Sequence, residues 1–147
     1  MNERLKPVEI LLVEDDPGDV LLTREAIKES KLNINLRVVN DGAEALDFLH
    51  QQGKYTNALR PHLILLDLNL PNKDGREVLS EIKTDNGLKQ IPVVVLTASR
   101  AETDIAKCYK LHANAYSIKP LNLDDFLSVV SRTADYWLNT VTLPPGE

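Results

Sequence analysis

Five residues of this chain have side chains suited to phosphoryl chemistry, and each follows an apolar run. Glu14 and Asp15 close Val8 to Val13, Asp67 closes Leu63 to Leu66, Thr97 closes Ile91 to Leu96, and Lys119 closes Ala113 to Ile118. An isolated carboxylate in apolar surroundings is costly, so acids placed there need water, a metal or a cation. Hard oxygen ligands held close together suit a divalent cation, Mg²⁺ or Mn²⁺, that keeps several of its waters. Without the ion the acids repel one another and their affinity for protons rises. With it, an incoming phosphate is offset in charge, and a carboxylate can attack phosphorus to form an aspartyl phosphate. Lys119 is a compact point charge for one phosphate oxygen, and Thr97 offers a hydroxyl donor to another. Phosphoryl transfer depends mainly on positioning and electrostatics, which this set can supply.

The elements that must position these groups follow from the hydrophobic pattern. Apolar runs bounded by turn residues read as strands buried on both faces of a parallel sheet. In open α/β sheets, chemistry gathers outside the carboxyl ends of such strands. Asn33 to Asn40 alternates through Ile34, Leu36 and Val38 and adds a further strand. Asp16-Pro17 reads as an N-cap with proline at the first helical position, opening a helix to about Lys31 with Val20 and Ile27 on one face. Asp41-Gly-Ala-Glu44 has capping-box spacing, with Ala45, Leu46 and Leu49 inward and Gly53 as the end of the helix. His50 to His62 is a long polar connection. Pro71 to Gly75 is a turn-rich loop behind Asp67; Val78, Leu79 and Ile82 then stripe a helix stopping near Asn86-Gly87. Ile105, Cys108, Tyr109 and His112 keep helical spacing. Asn122 caps a last helix striped by Leu123, Phe126, Leu127, Val130 and Ala134, and Tyr136, Trp137 and Leu138 extend its apolar face. Five strands alternating with five helices predict a doubly wound α/β fold.

The 147 residues suit one domain, with a core over about 8–134 and an extension over about 135–147. A net charge of −5 argues against a nucleic-acid binder. No apolar run approaches a membrane span, and Met1 to Pro7 is too short and polar for a signal peptide. The single cysteine, Cys108, fits a reducing cytoplasm.

Glu14-Asp15, Asp67, Thr97-Ala98 and Lys119-Pro120, in that order at successive strand ends, resemble the receiver domains of two-component response regulators over roughly Val8 to Val130. The resemblance implies a flavodoxin-like sheet of strand order 2-1-3-4-5. It implies Asp67 as phosphoacceptor, and Mg²⁺ held by Asp15, Asp67 and the Asn69 backbone carbonyl, with Glu14 acting through water. Thr97 and Tyr116 would form a switch pair, and the Lys119–Pro120 bond would be cis. Leu68 to Leu79, Gln51 to Tyr55 and Trp137 to Pro144 are similar to the small regulators partnered with cyanobacterial phytochromes, which receive phosphate from a light-regulated histidine kinase. No output domain is expected after the last helix, so output is expected through protein–protein contact, including a homodimer formed by the last helix and tail.

Two other readings of the acids are weaker. Haloacid-dehalogenase-type phosphatases place a general-acid aspartate two residues after the nucleophile, where this chain has Asn69. A pseudo-receiver would lack Asp67, an acid of the pair or Lys119, and all are present. The chain is therefore not expected to be a conventional enzyme; any hydrolysis would be of its own aspartyl phosphate. Asp16 and Asp74 are expected to be structural, as are His50, His62 and His112, which lack metal-ligand spacing.

Overall fold

The computed structural model describes residues 6–145, so most of the polar start and the last two residues of the tail lie outside the described residues. Strands β1 (Val8–Val13), β2 (Ile34–Val39), β3 (Leu63–Leu66), β4 (Val93–Thr97) and β5 (Ala115–Ile118) alternate with helices α1 (Pro17–Ser30), α2 (Gly42–Leu49), α3 (Gly75–Thr84), α4 (Glu102–Lys110) and α5 (Leu123–Asp135). The sheet has the order β2-β1-β3-β4-β5, and every pair is parallel. This is the doubly wound, flavodoxin-like fold that the alternation and the resemblance predicted.

Both faces of the sheet are covered, which explains why its central strands are apolar throughout. Leu11, Val13, Ile64, Leu66, Val93 and Val95 pack on one side against Ala45 and Leu49 of α2, Val78, Leu79 and Ile82 of α3, and Cys108 of α4. Ile10, Leu12, Leu63, Leu65 and Val94 form the other face with partly buried Val20 of α1. Further along that face, Ala26 and Ile27 of α1 meet Leu96 and Phe126 and Val130 of α5. The helix starts are capped as predicted: Asp16 accepts from the Gly18 and Asp19 N–H groups, Asp41 from Glu44, and Asn122 from Asp125.

Several details differ from the expectations. Helix α2 ends at Leu49 rather than at Gly53. The Gln51 N–H bonds Phe48 O and the Gln52 N–H bonds Asp47 O, a Schellman closure in which Gln51 itself takes the left-handed conformation at φ 57°. Gly53 instead opens a short 3₁₀ turn, Gly53–Tyr55. Helix α4 buries Cys108 but leaves Tyr109 exposed, and His112 lies beyond the helix end at φ 73°. No peptide bond among the described residues is cis, so Lys119–Pro120 is trans, the lower-energy form by about 0.5–1 kcal/mol.

The end of the chain departs most. Helix α5 passes into a π turn, Tyr136–Thr140, in which the wider i→i+5 spacing redirects the apolar stripe. Trp137 and Leu138 consequently pack against the chain's own Ile10, Leu12, Leu63, Leu65 and Val94 cluster. Tyr136 remains half exposed, edge-on to the Trp137 ring at 5.6 Å. The continuous outward aromatic stripe expected of this segment is therefore not formed, since Trp137 and Leu138 are used internally.

Candidate active site at the carboxyl ends of the strands

The strand register brings the chemical groups together. Val13 is paired with Leu66, so Glu14 and Asp67 emerge side by side. Thr97 is paired with Ile118, and the Lys119 N–H bonds Thr97 O at 2.8 Å. Asp67 is buried at the end of the central strand, and its own N–H bonds Val13 O at 3.0 Å. The Leu68 N–H donates to Asp67 Oδ1 at 2.7 Å, fixing the plane of the carboxylate. The loop behind it closes tightly because the Gly75 N–H reaches Leu68 O at 2.8 Å. A Cβ at Gly75 would overlap the backbone of Asp67 and Leu68, so only glycine fits that approach.

Lys119 Nζ is the hub of the site. It donates to Glu14 Oε1 at 2.6 Å, to Asp19 Oδ2 at 2.8 Å and to Asp67 Oδ2 at 3.1 Å. Its side chain is only 9 % exposed, so these contacts are poorly screened. Burial works against its charge, but the hydrogen bonds to Asp19 and Glu14 and the charge of Asp67 together hold its pKa above the ordinary lysine range. Burial pushes Glu14 up to about 7, the Asp67 charge adding to the effect and the Lys119 hydrogen bond opposing it. Glu14 thus gains its proton affinity chiefly from burial, with repulsion from Asp67 a smaller contribution.

Of the predicted residues, Glu14, Asp15 and Asp67 place carboxylate oxygens within 4.8 Å of one another, a spacing that one small divalent cation could bridge. Asp15 is the exposed member. Asn69 lies at the rim, exposed, with its N–H 3.4 Å from Asp67 Oδ1. Thr97 is fully buried, and its Oγ1 is without a hydrogen-bond partner. A buried hydroxyl left unsatisfied is costly and marks a place where an oxygen-bearing group could be received. Tyr116 is half-buried and donates its OH to the Ser99 carbonyl at 3.0 Å, away from the acids.

Three of the residues expected to be structural make local contacts, and His50 Nδ1 lies 3.9 Å from Asp85 Oδ2. Asp16 and Asp74 cap α1 and α3. His62 accepts the Glu9 N–H through Nδ1 at 3.0 Å.

Two features were missed from sequence. Asp19, in the first turn of α1, turns its carboxylate to Lys119 Nζ at 2.8 Å. Arg76 bonds both Asp74 and Asp104, and Asp104 accepts from Ser99 Oγ at 2.6 Å. That network ties the starts of α3 and α4 to the loop whose carbonyl receives Tyr116.

Comparison with known proteins gives a consistent result. The profile for the response regulator receiver domain matches residues 10–131. The response regulator Rcp1 of a Synechocystis strain is 52% identical over 143 residues, 97% of each chain. The crystal structure of its Mn²⁺-bound form superposes with a TM-score of 0.92 at 52% identity, covering 95% of this chain and 100% of that one. The phosphorylated cyanobacterial phytochrome response regulator RcpA also gives 0.92, at 50% identity, covering 95% and 99%.

Proposed function

This chain belongs to the response regulator receiver domain family, closely related to phytochrome response regulators, and from that premise we propose that Asp67 is its phosphoacceptor. The observation that carries the reading is the register that sets Asp67 between the Glu14-Asp15 pair and Lys119, beside the unpartnered hydroxyl of Thr97. The donor is a sensor histidine kinase of the phytochrome class, acting in the cytoplasm. A carboxylate oxygen of Asp67 bonds to phosphorus as the phosphorus–nitrogen bond of the donor phosphohistidine breaks, and the imidazole leaves as the neutral base after taking a proton.

Mg²⁺ or Mn²⁺ fits the acid cluster on the chemistry of its donors, with Asp15, Asp67 and the Asn69 carbonyl as ligands and Glu14 acting through water. When bound, the ion offsets the negative charge brought by the phosphoryl group. Lys119 and Thr97 serve the phosphoryl oxygens, one as a cation and the other as a hydroxyl donor. Once Thr97 has that partner, Tyr116 forms the second half of the switch, read out as altered protein–protein contact. One such contact is self-association through the outer face of α5 and the tail, where Leu123 and Tyr136 stay exposed. The acyl phosphate returns to the starting state by hydrolysis at the same site.

The test is incubation with a phosphorylated phytochrome kinase or with acetyl phosphate, with and without Mg²⁺, followed by intact mass. One added phosphoryl group that depends on Mg²⁺ supports the reading. A chain left unmodified by both donors would refute it.

A further inference from the structure

Three carboxylates hold the Lys119 ammonium, and they differ in what else they do. Glu14 and Asp67 belong to the acid cluster whose oxygens lie within 4.8 Å of one another; Asp19 does not. A cation received by that cluster competes with Lys119 for Glu14 and Asp67 and also repels its positive charge. Asp19 stands outside this competition. It is well placed to persist: it lies in the first turn of α1, its N–H faces the Asp16 cap, and its carbonyl accepts the buried Thr23 hydroxyl at 2.8 Å. The same helix is anchored in the core by Ala26 and Ile27.

We propose that Asp19 is a positioning residue that keeps the Lys119 ammonium at the acceptor site when a divalent cation takes over Glu14 and Asp67. The inference rests on the reading of the acid cluster as a metal site, and it adds a task for a carboxylate outside that cluster. Without Asp19 the lysine has full anchorage only in the metal-free state. Once the cation is bound, its flexible stem is free to swing into solvent, and the phosphoryl group loses its cation at the moment of transfer.

The side-chain ¹⁵N resonance of Lys119 reads this directly in the full-length protein, assigned by its disappearance in Lys119→Met. In the wild type the slowly exchanging ammonium signal persists before and after saturation with Mg²⁺. In Asp19→Asn it is present without Mg²⁺ and lost on saturation, because removing a charge-assisted hydrogen bond corresponds to about tenfold or more in exchange. Asp19→Glu, which keeps the charge, retains it. Calorimetric titration establishes that Mg²⁺ is bound in each protein. A Lys119 signal that survives in Asp19→Asn with Mg²⁺ bound overturns the inference and leaves the metal site standing. A wild type that binds no Mg²⁺ overturns the metal site, and this inference with it. As a functional check, Asp19→Asn slows labelling by acetyl phosphate in the wild-type background and has no further effect in Lys119→Met; equal slowing in both backgrounds would assign Asp19 a merely structural role.

Discussion

The raised proton affinity of Glu14 has a consequence for stability that Glu14→Gln isolates. The buried carboxyl titrates near 7 in the folded chain against an ordinary value of 4.5. Below about pH 4.5 it is protonated in both states and imposes no penalty. As pH rises through the folded value, the folded protein must ionise a group that burial and Asp67 resist, so metal-free stability falls across this window. At 1.36 kcal/mol per pH unit the interval corresponds to about 3 kcal/mol, or roughly 6–12 °C of melting temperature for a chain of this size. Glutamine keeps an oxygen for Lys119 Nζ but has nothing to ionise. Melting curves between pH 4.5 and 8 in the presence of a chelator should therefore show the wild type losing stability relative to Glu14→Gln. With Mg²⁺, which favours the ionised acid, the difference should shrink. Parallel pH profiles of the two proteins would refute the electrostatic reading of the site.

Other outcomes follow from the same geometry. Lys119→Met should still accept phosphate from acetyl phosphate, more slowly, but fail to change affinity for its partner; normal signalling by the phosphorylated variant would make Lys119 an ordinary surface lysine. Gly75→Ala forces a methyl into the backbone of Asp67 and Leu68, and should cost about 1–3 kcal/mol in denaturant melts while slowing labelling at Asp67. Trp137→Ala removes an aromatic ring from the chain's own sheet face and should destabilise the monomer by on the order of 2 kcal/mol. Tyr136→Ala should leave stability nearly unchanged but weaken self-association in sedimentation; a wild type monomeric at tens of micromolar with and without phosphodonor would remove the dimer proposal.

The site was legible because its groups sit at ends of strands, and strands of this kind announce themselves. Four apolar runs ending in Glu14-Asp15, Asp67, Thr97 and Lys119 can converge only if the sheet is parallel, and the alternation with helices requires that. What could not be read depends on tertiary geometry. Asp19 occupies a first-turn position where an acid is favourable for the helix dipole alone, so nothing in its spacing separates a dipole partner from a partner of Lys119. Trp137 follows a helical period that the π turn breaks, and hydrophobic periodicity carries no sign of such a turn. Gln51 adopts the left-handed conformation usually taken by glycine, so the helix closes before Gly53 is reached. Tyr109 shows that apolar spacing on a short helix overstates its buried face.

The central claim is that the phosphoryl group resides on Asp67 and nowhere else. Protein labelled with acetyl phosphate and Mg²⁺ can be reduced with borohydride, which converts an aspartyl phosphate to homoserine, and then mapped by peptide mass. Homoserine should appear at position 67 alone, and Asp67→Asn should fold normally yet remain unlabelled. Homoserine at Asp15 or Asp19, or full labelling of Asp67→Asn at another residue, would contradict the account.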